Sequence, residues 1–256
     1  KIPFLYFFCC VLTLIGYGQQ KTFNVSNAHA HNDYLQETPF YMAYHAGFGS
    51  VEADVFPVNG MLCVAHSKKE IQPGVTLKRL YLDPLLKEFT TNKAQHVKLL
   101  VDIKEDHELT LKLLLQEIEP LIQYLSTTKE NKQLVLLISG KRPLPSAYKN
   151  YPDYIFFDDD LKLTHTAAEW ERVGQVSLPF TKYSAWKGEN IIDPGDRKKL
   201  QNTIDSVHHS GKTIRFWAAP DNKTSWDLQI QLGVDLIGTD KINELADFLR
   251  SQSKQN

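Results

Sequence analysis

The amino-acid sequence predicts a single (β/α)8 TIM barrel, with the helix after its fourth strand weak enough to distort it. Three observations carry this expectation. About eight short β-prone runs alternate with helical segments, the pattern of a closed parallel sheet wrapped by helices. The length of 256 residues suits that architecture, and no Pro/Gly/Ser-rich linker, fixed-period repeat or low-complexity tract divides the chain. The run 96–103 (HVKLLVDI) is nearly continuous in apolar residues, as a strand covered on both faces requires.

Each element has its own signal. Residues 22–30 read as the first strand and 39–45 as a short helix. Residues 50–56 form the second strand, followed by Asn59-Gly60, a strong hairpin turn. Helical spacing of leucines marks 77–89, and a leucine-rich helix is expected over 108–125 after the third strand. Residues 133–139 (QLVLLIS) form a strand stopped by Gly140, and 154–157 another. A helix at 166–172, a strand at 175–180 and a helix at 196–210 ended by Gly211 follow. The chain closes with a strand at 212–217, a helix at 223–232, a strand at 235–238 and a helix at 242–250.

Composition narrows the function classes. The hydrophobic share of 42% supports a sizeable core, and a formal charge of −1 gives no basic field for nucleic acid. Residues 1–18 read as a secretory leader: Lys1, an apolar run over 2–15, then Gly16 and Gly18 at small-residue positions. That run is short of the roughly 20 residues a membrane span needs. The expectation is an exported, secreted or periplasmic protein with its barrel in residues 19–256. Cys63 is then the only thiol left, which excludes an intrachain disulfide.

The candidate chemistry is organised around residues 51–66 (VEADVFPVNGMLCVAH). Glu52 and Asp54 are two apart in a strand, so their carboxylates project from one face. The hairpin then returns His66 toward them. Other strand ends supply His29, His31 and Asn32, then Asp102 with Lys104, then Lys141 and Arg142, Lys182, Arg215 with Trp217, and Asp240. All belong at the C-terminal mouth of a barrel, where such folds keep their active sites. Oxygen ligands suit a hard cation, Ca²⁺ or Mg²⁺, better than zinc. Two histidines suit acid–base work and the basic rim suits an anion, so the set points to phosphodiester cleavage.

The motifs HAHNDYL, SVEADVF with VAH, and LLVDIK resemble the catalytic elements of the phospholipase C-like phosphodiesterase superfamily, in a branch carrying H-x-H-N-D-Y. Phosphoinositide phospholipases C and glycerophosphodiester phosphodiesterases belong to it. The resemblance implies His31 and His66 as the catalytic histidines, and Asn32, Glu52, Asp54 and Asp102 as ligands of one divalent cation. His29, Lys104, Arg215 and Trp217 are candidates for substrate binding. A small-molecule or lipid phosphodiester is the implied substrate, with transient membrane-surface contact and a monomeric state. Two departures bear on substrate and metal: the first motif lacks the H-R-G of glycerophosphodiesterases, and the third acid is Asp rather than Glu.

Two other classes compete. His29-x-His31 also opens the metal-dependent amidohydrolase pattern, which needs further histidines after the middle strands; residues 156–158 and 180–182 carry none. An inactive barrel binding an anionic ligand is the other. His45, His96, His107, His165, His208 and His209 are expected on the surface or satisfied in the core. Asp158-Asp159-Asp160 is expected as a solvated loop, and Asp240 as a helix cap.

Overall fold

Alternation along the strands decides the architecture. In the computed structural model, which describes residues 22–91 and 94–252, odd residues of the second strand such as Val51, Ala53 and Val55 face outward into an apolar layer. Its even residues Ser50, Glu52 and Asp54 are buried on the opposite face. The outward apolar face recurs along the other long strands, where helices cover it, while the inward face mixes polar side chains with Leu100 and Leu137, which lie in register with Glu52. The expected leader, residues 1–18, lies outside the described residues.

The strands are β1 (Ala28–Ala30), β2 (Ser50–Val58), β3 (Met61–Val64), β4 (Val97–Ile103), β5 (Leu134–Gly140), β6 (Ile155–Asp159), β7 (Val173–Pro179), β8 (Ile214–Trp217) and β9 (Ile237–Thr239). Helices α1 (Tyr41–Ala46), α2 (Asp83–Phe89), α3 (His107–Glu117), α4 (Ala167–Glu171), α5 (Pro194–His209), α6 (Lys223–Leu232) and α7 (Ile242–Gln252) lie between them. Eight parallel strands run β8-β7-β6-β5-β4-β2-β1-β9, and β3 returns antiparallel on β2 through the Asn59-Gly60 turn. The ring is nearly closed: between β8 and β9 a single bridge joins Arg215 to Leu236. Asp235 N and Leu236 N donate to Ile214 O there at 3.1 and 3.3 Å. The TIM barrel expected from the alternation is therefore present.

Local departures have local causes. Only Ala28–Ala30 of the first expected strand is extended, because the Asn24 side chain accepts from Ser26 N and caps a 3₁₀ turn, Val25–Asn27. The helix expected over 108–125 ends at Glu117, just before Pro120, whose missing N–H breaks the ladder. The weak helix after the fourth barrel strand is a 3₁₀ turn, Pro145–Asn150.

Register places the acids. Asp54 lies beside Asp102, and Asp102 beside Ser139, across the parallel pairs β2–β4 and β4–β5. The register slips between Phe157 and Asp158. After that slip the successive residues Asp158 and Asp159 are both buried, which corrects the expectation of a solvated acidic loop.

Gly140 sits where β5 passes the third acid. Its φ is +68°, and a Cβ there would meet Ile103 O at 2.5 Å and Asp102 Oδ1 at 2.6 Å. Gly140→Ala is therefore expected to cost about 1–3 kcal/mol in denaturant unfolding. An unchanged midpoint would contradict the close approach.

Candidate active site

Glu52 lies buried on the inward face of β2. Its Oε2 accepts from Arg215 Nη1 at 2.8 Å and lies 2.8 Å from His29 Nε2. Burial alone would raise this carboxyl, but the Arg215 guanidinium and the His29 bond outweigh it and hold it well below the usual range. Arg215 comes from β8, so the pair spans the barrel. His29 is sealed beneath, with Nδ1 on Ser50 Oγ at 2.8 Å and Nε2 shared by Glu52 and Arg215. Burial, with Arg215 beside it, lowers His29 to about 3, so the ring is neutral. The structure thereby corrects the expectation that His29 meets substrate. With both nitrogens engaged, the His-x-His pair also offers no shared metal seat.

Asp54, one step up the strand, has a different environment. Its Oδ2 is 2.9 Å from Lys104 Nζ, accepts from Tyr34 OH at 2.9 Å, and lies 3.3 Å from His66 Nδ1. Burial raises this carboxyl, the Lys104 charge opposing and the Glu52 charge adding. Lys104 also bonds Asp102 Oδ2, while Ser139 donates to Asp102 Oδ1 at 2.6 Å. One oxygen from each of Glu52, Asp54 and Asp102 lies within 4.8 Å of the others. Among the described residues this is the one such group of possible metal ligands, and it contains no histidine.

His31 stands on the other side of β1's end. Its Nδ1 lies 2.8 Å from Asp240 Oδ1, and because a carboxylate only accepts, the ring hydrogen is assigned to Nδ1. Burial pulls its pKa down, but the Asp240 bond and the Glu52 and Asp240 charges outweigh it, and the net shift is upward. Asp240 is itself set by Asp221, whose Oδ2 accepts from Asp240 N at 3.0 Å. Sequence reasoning gave Asp240 to the helix cap; its chain position after β9, beside β1, was the signal for its contact with His31. Asn32 adopts a left-handed φ of 47°, which Asn tolerates, and its Oδ1 accepts from Tyr34 OH at 3.0 Å. Tyr34 thus lies between Asn32 and Asp54, a bridge the sequence did not announce.

A cavity of about 480 Å³ gathers these groups. His31, His66, Glu52, Asp102, Lys104, Arg215 and Trp217 all line it. His66 reaches in from the loop after β3 with its side chain 65% exposed. Trp217 is 47% exposed rather than packed into the barrel. Asn32 and Asp54 sit immediately behind: Asn32 Nδ2 donates to Asp240 Oδ1 at 3.3 Å, and Asp54 Oδ2 lies 3.3 Å from His66 Nδ1. Lys104 and Arg215 are committed to internal carboxylates, whereas Lys182 lines the cavity without an ion-pair partner among the described residues. Asp158 lines it too; burial raises its carboxyl to about 6 against the pull of Arg215. Asp159 Oδ2 lies 3.0 Å from His165 Nε2, but that buried nitrogen makes no hydrogen bond, so His165 departs from the satisfied-core expectation.

The chain is a TIM barrel with acids, two histidines and bases at its mouth, and it shares that fold with solved phosphodiesterases. It resembles a glycerophosphodiester phosphodiesterase from Parabacteroides distasonis (TM-score 0.58, 17% identity, 91% of this chain and 100% of that one). It also resembles a calcium-dependent phosphoinositol-specific phospholipase C from Pseudomonas sp. (TM-score 0.58, 10% identity, 87% and 92% covered). Residues 20–93 match the model of the AIM6-like phosphodiesterase domain. The Saccharomyces cerevisiae protein called altered inheritance of mitochondria protein 6 is 30% identical over 274 residues, covering 87% of this chain and 70% of its own. An Arthroderma benhamiae homolog is 26% identical over 254 residues, covering 84% and 81%. The chain belongs to this AIM6-like family. These relatives are named for altered inheritance of mitochondria, which contradicts the expected export.

The buried neutral His29 has a pH consequence. Below pH 6.5 the unfolded chain's His29 takes up a proton that the folded ring refuses until about pH 3. Acid therefore favours the unfolded state, by about 1.4 kcal/mol per pH unit at most for one proton. Urea unfolding between pH 6.5 and 4 should show a shallower loss of stability in His29→Gln than in the parent chain. Equal slopes would contradict a neutral His29.

Proposed function

We propose that the chain is a divalent-cation-dependent phosphodiester hydrolase in which His31 and His66 exchange the protons. The observation that carries this is their convergence on one cavity with Glu52 and Asp102. The oxygen donor set of Glu52, Asp54 and Asp102 fits Ca²⁺ or Mg²⁺, with Asn32 Oδ1 beside Asp54 through Tyr34. Lys104 rests its ammonium on Asp54 and Asp102, so the group already attracts positive charge. A bound cation supplies polarisation of the phosphoryl oxygen and a lowered pKa for a nearby hydroxyl or water.

The chain's own groups do the rest. Asp240 orients His31 through Nδ1, which leaves Nε2 for the proton transferred at the reacting centre. His66 is tethered at Nδ1 to Asp54, and its free Nε2 faces the same cavity. One takes the proton from the attacking oxygen while the other protonates the leaving oxygen. Lys182 and Arg142 are the bases best able to meet phosphate charge, since both line the cavity and neither is locked as Arg215 is. The barrel fits a glycerol- or lipid-type headgroup, with exposed Trp217 as a flat wall for it.

Asp54→Asn and Asp102→Asn preserve size while removing charge. Each is expected to weaken Ca²⁺ or Mg²⁺ binding in calorimetry and to lower phosphodiester turnover by about 10²-fold or more. Full turnover after exhaustive chelation would overturn the cation's part. Glu52→Gln should act differently: it strands the buried Arg215 and is expected to cost about 3–5 kcal/mol of stability.

A further inference from the structure

In the run His31-Asn32-Asp33-Tyr34, Asp33 is the member whose side chain takes no part in the site described above. His31 lines the cavity, Tyr34 OH lies 3.0 Å from Asn32 Oδ1, and the same hydroxyl lies 2.9 Å from Asp54 Oδ2. Asp33 instead is fully buried in the 3₁₀ turn Asp33–Leu35 that follows β1, and it does not line the cavity. Its Oδ2 accepts from Phe40 N at 2.5 Å, and its Oδ1 has no hydrogen-bond partner. The Tyr81 hydroxyl lies against the same carboxyl and donates to Glu52 O at 3.4 Å. A buried carboxyl with one unsatisfied oxygen lowers stability, so packing alone gives no reason for an acid here.

Phe40 is the second observation. Its φ of 64° and ψ of −56° are those of the rare γ-turn, closed by Tyr41 N donating to Pro39 O at 2.7 Å. For a bulky side chain this conformation is strained. The Phe40 ring is fully buried and stacked on Tyr44 at 4.8 Å, so ring packing and the Asp33 bond hold the backbone there together. Asn32 is left-handed too, with φ 47°. Strained residues thus bracket the segment 32–40, and Asp33 ties its start to its end. The segment is also joined to the groups that set His31: His31 N donates to Thr239 O at 3.0 Å, and Gln36 Nε2 donates to Asp240 O at 2.9 Å. A shift of this loop would move His31, Asn32 and Tyr34 at once. Strain retained beside a site, and held by a buried acid that itself lowers stability, points to a service to the site.

We propose that Asp33 is a positioning residue: by fixing Phe40 N–H and bearing on Tyr81, it holds the strained segment in the arrangement that aims His31, Asn32 and Tyr34. That role rests on the proposed phosphodiester chemistry for its effect on rate, but not for its effect on the loop. The test compares Asp33→Ala, which removes the acceptor, with Asp33→Asn, which keeps the size and an amide oxygen for Phe40 N–H. Turnover of an alkyl phosphodiester, calorimetric Ca²⁺ or Mg²⁺ affinity, and amide hydrogen exchange by mass spectrometry are read in parallel. At saturating cation, Asp33→Ala should lose roughly 10–10²-fold in kcat with KM changed less than about threefold, because misplaced groups cost rate more than binding. Cation affinity should fall as Asn32 and Tyr34 shift against Asp54. Amides within residues 31–41 should exchange faster while β4 and β5 keep the parent's protection. Asp33→Asn should restore most of all three.

Parent-like kcat and cation affinity in Asp33→Ala would overturn the role, as would equal losses in the Ala and Asn variants. Faster exchange throughout the barrel would also overturn it, since Asp33 would then serve stability alone. Should Asp33→Ala fail to fold, Tyr81→Phe decides, because it removes the hydroxyl against Asp33 and keeps the ring. It should lose about three- to tenfold in kcat, with faster exchange confined to residues 31–41, and parent-like values would overturn the role. A parent chain that turns over no diester would sink the catalytic reading alone; loop exchange in the variants would still decide for or against positioning by Asp33.

Discussion

The constraint on which the site depends is the cost of keeping two carboxylates, two residues apart, inside one barrel. Glu52 and Asp54 share a face of β2, and each is met by a cation from another strand. Arg215 reaches Glu52 from β8, and Lys104 reaches Asp54 from the end of β4. Without those partners the acids would repel each other in a medium that solvates neither. The two pairs also divide the labour. Glu52 is locked into a buried triad with Arg215 and His29, which braces the barrel floor. Asp54 and Asp102 share one lysine near the mouth, a looser arrangement that leaves room for an exchangeable cation.

That division explains how one sheet carries both stability and chemistry. Outward residues such as Leu99, Val101, Leu136 and Ile138 are fully or almost fully buried against helices, and the fold's apolar gain lies there. Inward residues such as Lys98, Gln175 and Ser177 build a polar shaft below the cavity. Lys98 is lowered to about 8 by burial, with Asp158 opposing, so the shaft holds charge only as far as its partners allow. A polar interior is a liability for packing and an asset for placing charges at fixed distances.

Much of this was legible in the sequence, because period-two alternation and short-range turns are written locally. Residues 51–66 gave the carboxylate pair, the hairpin and the return of His66. The long-range pairings were not legible in this way. Asp240 meets His31 only because β9 closes the ring against β1, a contact between residues 209 apart. The burial of both Asp158 and Asp159 depends on a register slip that no residue type announces. His29 looked like a neighbour of substrate because it shares a face with His31. Its depth one layer further down, under Glu52, is a property of strand tilt and stagger.

The central claim is that His31 and His66 act as an acid–base pair across one phosphoryl centre. It is tested most directly by comparing His31→Ala and His66→Ala on two phosphodiesters, one with an alkyl and one with a nitrophenyl leaving group. Each variant should lose roughly 10²–10⁴-fold on the alkyl diester. On the nitrophenyl diester, which leaves without a proton, the variant lacking the acid should recover most of its rate while the variant lacking the base should not. Equal losses on both substrates for both variants, or no loss for either, would contradict the claim.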